Sequence, residues 1–64
     1  MIDGKKIKYY RELLGISQKA LGEKLDVSQS LIAHWERGYK IPVTYQLMLL
    51  ADTLGVKMDD FRAS

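Results

Sequence analysis

The chain has 64 residues, a net charge of +2 and no cysteine. A length of this kind means one domain, here residues 1–64, which buries only roughly 60 % of the surface its unfolded form exposes and leaves little room for a deep substrate pocket. Missing cysteines exclude a disulfide framework and a thiolate metal site, the single His34 cannot build a zinc site alone, and no apolar run reaches signal-peptide or membrane-span length.

Those exclusions fit a protein of the reducing cytoplasm with no membrane partner. The charge is mildly basic, which permits a nucleic-acid partner without requiring one. Ile7, Tyr10, Leu13 and Leu14 recur at helical spacing, so the first helix is predicted over Ile7 to Leu14, with Gly15 as its stop. Tyr10 falls on the Ile7 face and is expected inside, with Tyr9 outside. Lys5, Lys6 and Lys8 before and within this piece read as a solvated charge run, with contact to flanking phosphates as the alternative.

Ser17 is a good N-cap for a second helix, on which Leu21 and Leu25 share a face. Gly22 lies inside it, where glycine costs about 1 kcal/mol against alanine; close approach of another helix would account for it. Asp26 marks the corner, since Asp enters the left-handed region more readily than most residues. Ser28 then caps a third helix to Arg37, and Gly38 stops it. After Pro42, Leu47, Leu50, Ala51 and Leu54 follow an i, i+3, i+4, i+7 pattern, which predicts a fourth helix over Val43 to Leu54. Gly55 closes it, and a short fifth helix is expected from Met58 to Arg62, with Asp59 and Asp60 in its first turn where the helix dipole favours them. Nothing alternates with period two, so the fold class is all-α, a compact five-helix domain.

The third helix splits into two faces. With Gln29 at zero, Ala33 falls at about 40°, Arg37 at 80°, Ser30 at 100° and His34 at 140°, while Leu31, Trp35 and Ile32 lie between about 200° and 300°. An ordinary solvated face favours Lys and Glu. This one carries side chains that both donate and accept hydrogen bonds. Gln pairs with the N6 and N7 edge of adenine, Ser takes either role, Arg suits guanine or phosphate, and a small Ala leaves room for a thymine methyl.

The stretch from Gln18 to Glu36 resembles the helix-turn-helix of the lambda-repressor/Cro-like family, the XRE regulators. Gln18 stands where that pattern begins and Gly22 where the two helices touch. Leu21, Leu25, Val27, Ile32 and Trp35 match its apolar anchors. Asp26 departs from the glycine usual at the corner. The likeness extends through "IPVTYQLMLLADTLGVKMDDF", the fourth and fifth helices, and Arg11 and Glu36 match a structural ion pair of the family.

The resemblance implies a transcriptional regulator that binds double-stranded DNA, its helix-turn-helix near 18–37 and its recognition helix, 28–37, in the major groove. Base-reading candidates are Gln29, Ser30, Ala33 and His34; surface decoration is the plain alternative for His34. Phosphate-contact candidates are Gln18, Lys19, Arg37, Tyr39 and Lys40. The expected form is a homodimer on a palindromic operator, acting as a repressor. Tyr45, Met48 and Leu49 make a second apolar row on the fourth helix and, with Phe61, a candidate dimer surface; a wider core or scattered exposed hydrophobes are the alternatives. Another reading is an antitoxin-type interaction protein whose row binds a toxin. No enzyme, cofactor or small-molecule ligand is expected: there is no cysteine nucleophile or glycine-rich phosphate loop, and Ser30 with His34 lacks an oxyanion partner.

Overall fold

Asp3, not Ile7, sets where the first helix begins. In the computed structural model, which describes residues 1–64, the Asp3 carboxylate accepts a hydrogen bond from the Lys5 amide at 3.0 Å and caps α1, Gly4–Leu13. Hydrophobic spacing marks only where apolar side chains recur, and Gly4, Lys5 and Lys6 carry none, so the helix begins ahead of the Ile7 start that spacing predicts. The apolar row on this helix needs a second correction. Ile7 and Arg11 form its buried face, whereas Leu13 and Leu14 are 65 % and 53 % exposed. Leu13 stands about 120° from Ile7 around the axis, and Leu14 follows Arg11, the last residue of the helix that packs inward.

Serine hydroxyls start the next two helices. Ser17 accepts from the Ala20 amide at 3.0 Å to open α2, Gln18–Leu25. Ser28 accepts from the Leu31 amide at 3.1 Å to open α3, Gln29–Arg37. Replacing Ser28 by alanine leaves that amide unpaired at a cost of about 1 kcal/mol, so Ser28→Ala should melt about 4–8 °C below wild type in a circular-dichroism scan and Ser28→Asp should not. An unchanged melt would show that water caps this helix as well as the hydroxyl does.

The fourth helix, α4, spans Thr44–Leu54 and closes at Gly55 in the left-handed conformation. The expected fifth helix is a 3₁₀ turn, Met58–Phe61, rather than an α-helix to Arg62. Four residues suit that tighter winding. Asp60 reaches back to accept from the Lys57 amide at 2.8 Å, while Asp59 pairs with Arg62 at 3.2 Å in the open, where such a pair adds little.

Ile7, Leu21, Leu25, Ile32, Trp35, Leu47, Leu50, Ala51, Leu54 and Phe61 make one core to which every element contributes. Phe61 is 0 % exposed, so it belongs to this core and cannot line a dimer surface. The 3₁₀ turn folds it inward, and Tyr10, half-buried rather than fully enclosed, meets its ring edge-to-face at 6.0 Å. Backbone bonds join the two ends of the chain: Ile2 bridges Arg62, the Asp3 amide donates to the Phe61 carbonyl at 2.7 Å, and the Ala63 amide donates to that of Met1 at 2.8 Å. The Lys6 ammonium donates to the Arg62 carbonyl, so the basic start is tied down at one point. No helix is long and apolar enough to cross a membrane.

Candidate nucleic-acid interface

The corner between α2 and α3 is built from backbone. Asp26 sits in the left-handed region at φ 57°, ψ 43°, and the Val27 amide donates back to the Gly22 carbonyl at 2.9 Å. The chain thus turns so sharply that a Cβ on Gly22 would meet the Val27 carbonyl oxygen at 2.7 Å and the Gln29 nitrogen at 3.4 Å. That contact is the reason for a mid-helix glycine. It seats the first turn of α3 directly on α2.

A buried carboxylate fixes the other end of α3. Glu36 receives two hydrogen bonds from the Arg11 fork, at 2.6 Å from Nε and 3.1 Å from Nη2, and Arg11 Nη1 donates to the Ile16 carbonyl at 2.8 Å. Both residues are buried. The hydrogen bond with Glu36 raises the Arg11 pKa above its ordinary value; burial opposes this, and the negative charges of Glu36 and Glu12 add to the rise. Glu36 also accepts from Gln18 Nε2 at 2.9 Å. An ionised carboxylate only accepts, so the Gln18 amide must turn its nitrogen inward, leaving its oxygen and its second N–H to face elsewhere. The spacing of Arg11 and Glu36 signalled their pairing. The Gln18 bond had no sequence signal, because it joins the start of one helix to the end of the next.

These anchors leave one face of α3 outward. Gln29, Ser30 and Arg37 are exposed, Ala33 and His34 are half-buried at its centre, and Ile32, Trp35 and Glu36 face in. Lys19 is exposed in the first turn of α2, and Tyr39 and Lys40 are exposed just past α3. Tyr39 has a neighbour that spacing alone did not suggest: its ring centroid lies 5.8 Å from that of His34, tilted by 50°. On α4, Tyr45 and Met48 are 68 % and 49 % exposed, whereas Leu49 is half-buried against the core, which narrows the expected apolar row to its first two members.

Two short helices locked at a tight corner, the second presenting a hydrogen-bonding face on a buried anchor, define a helix-turn-helix of the DNA-binding class. The helix-turn-helix family pattern matches residues 7–61. The chain is 34 % identical over 56 residues to the HTH-type transcriptional regulator ImmR of Bacillus subtilis, across 88 % of this chain and 44 % of that protein. It is 38 % identical over 55 residues to the uncharacterized HTH-type transcriptional regulator MJ0272 of Methanocaldococcus jannaschii, across 86 % of this chain and 83 % of that one. The crystal structure of the P22 c2 repressor in complex with a synthetic operator superposes with a TM-score of 0.86 at 34 % identity, over 92 % of this chain and 89 % of the other. The chain belongs to the helix-turn-helix family, in its lambda-repressor/Cro-like branch of transcriptional regulators, which is not a family of enzymes.

Proposed function

We propose that residues 1–64 act as one cytoplasmic domain that binds a specific DNA sequence and represses transcription by occluding a promoter. The observation that carries this reading is the outward face of α3, free of Lys and Glu, held at both ends by the Gly22 corner and the Glu36 anchor. Gln29, Ser30, Ala33 and His34 read base edges in the major groove. Gln18, Lys19, Arg37 and Lys40 contact phosphates, Gln18 through the N–H that Glu36 leaves free and the open amides at the start of α2. A homodimer on a palindromic operator places two such helices about 34 Å apart, with Tyr45 and Met48 covered by the second copy. The operator complex of the similar P22 c2 repressor supports a double-stranded DNA partner.

Selection of random duplex DNA by the purified protein tests this, with the Gln29→Ala, Ser30→Ala double variant in parallel. Wild type should enrich a two-fold symmetric motif, and the variant should lose preference by about 1–3 kcal/mol at each base pair those side chains read. Affinity should fall linearly with salt on logarithmic axes, because phosphate contacts release counterions. If no motif emerges even at low salt, the protein alone is not a specific binder. The exposed Tyr45 and Met48 would then be assigned to a partner chain, as in an antitoxin that holds a toxin.

A further inference from the structure

The end of α3 places an aromatic ring beside His34, one of the base-reading candidates. Gly38 adopts the left-handed conformation at φ 80°, its amide donates to the Trp35 carbonyl at 3.2 Å, and the Tyr39 amide donates to the His34 carbonyl at 2.9 Å. This is the Schellman arrangement, in which the residue after the glycine folds back over the residue whose carbonyl it caps. Here those two residues are Tyr39 and His34, and their rings meet at a centroid distance of 5.8 Å, within the range of favourable ring pairs. The Tyr39 ring is the aromatic neighbour of the imidazole, and no side-chain hydrogen bond within the chain occupies the ring nitrogens.

We propose that Tyr39 is a specificity-determining positioning residue: its ring holds the His34 imidazole in the orientation that reads one base edge. The inference rests on the proposed DNA reading and sharpens it. A neutral imidazole offers one N–H donor, which suits an acceptor such as purine N7 or guanine O6 in the major groove. Restraining the ring before binding spares the ordering cost at contact and aims the donor at one base pair. Tyr39 thereby contributes to sequence choice, a different task from gripping the phosphate backbone, which carries no sequence information directly.

The test pairs two measurements on the full chain. In the free protein, His34 ring-proton chemical shifts are compared among wild type, Tyr39→Phe and Tyr39→Leu. The Phe variant should keep the ring-current shift and the Leu variant should lose it. The DNA selection is then repeated with Tyr39→Leu, Tyr39→Phe, His34→Ala and the Tyr39→Leu, His34→Ala double variant. Tyr39→Leu and His34→Ala should lose on the order of tenfold preference at the same base pair of each half-site. The double variant should lose no more than His34→Ala, and Tyr39→Phe should match wild type. Since the Tyr39 and His34 backbone bond survives any side chain at 39, melting temperatures should stay together. A uniform loss of affinity in Tyr39→Leu with base preferences intact would overturn the proposal and return Tyr39 to the phosphate backbone. Identical His34 shifts in wild type and Tyr39→Leu would overturn it as well. A wild type that keeps the ring-current shift but selects no motif would instead defeat the DNA reading, and this inference with it.

Discussion

Arg11→Ala should lower the melting temperature by more than about 10 °C and weaken DNA binding only by depleting the folded protein. The cost comes from what stays behind. Glu36 remains buried after the substitution, with Gln18 as its one side-chain donor, and the Ile16 carbonyl loses the Arg11 N–H. Breaking a buried ion pair on one side costs about 3–5 kcal/mol, because a carboxylate is left in low dielectric without its counter-charge. A chain of this size has a total stability of roughly 3–10 kcal/mol, so the loss approaches the whole margin. The raised Arg11 pKa gives the sign of any pH effect. A folded value above the unfolded one stabilises fully below the unfolded pKa and is lost as pH rises through the folded one. Throughout the neutral range Arg11 therefore stays charged and the pair intact.

A paired replacement separates stability from function. Arg11→Met with Glu36→Leu removes both charges together, and such swaps are often neutral or stabilising. That variant should melt near wild type while freeing the Gln18 amide, which now has no carboxylate to hold it. Its affinity should fall by a similar factor on every DNA sequence, the signature of losing the phosphate contact proposed for Gln18. Arg11→Ala, measured at a temperature where it is folded, should keep near-wild-type affinity because Glu36 still holds Gln18. A melt of Arg11→Ala that matches wild type would show that the buried pair is not structural.

How far the sequence could be read follows from the range of each interaction. Ser17 and Ser28 act on amides three residues away, and Asp26 acts on its own φ and ψ, so composition at those positions was enough to place the corner. Gly22 was legible as an oddity, a glycine inside a helix that needed a close neighbour. The polar face of α3 was legible because a helix of fixed pitch sorts its own residues. Phe61 escapes a local reading because its burial depends on how separate elements meet, whereas Leu13 is turned outward by the pitch of α1 itself and Leu14 lies past the last inward-packing residue of that helix. Phe61 is sealed by a turn that is clasped to the other end of the chain, and residues so far apart share no local pattern. The His34 and Tyr39 contact does carry a local signal: an apolar residue directly after a helix-ending glycine commonly packs back on the last turn.

Gly4→Ala is the second large effect, and it falls on a residue that hydrophobic spacing passes over. Gly4 opens α1 against the end of α3: a Cβ there would overlap the Trp35 carbonyl oxygen and stand 2.8 Å from that of Glu36. Both are backbone atoms inside a formed helix, so neither swings aside as a side chain would. Either α1 withdraws, pulling Ile7 and Arg11 from their seats, or the last turn of α3 deforms. Overpacking of this kind costs about 1–3 kcal/mol, and a backbone obstacle puts it at the upper end. The better helix propensity of alanine returns only about 1 kcal/mol. Urea unfolding of Gly4→Ala should show a lower midpoint with an unchanged slope, while Lys8→Ala on the exposed side of the same helix should move neither. Glu36 sits in the turn that would deform, so the folded fraction of Gly4→Ala should also bind DNA more weakly, which distinguishes it from Arg11→Ala. Equal or greater stability in Gly4→Ala would mean that α1 reseats freely, and that its contact with α3 does not set the position of that helix.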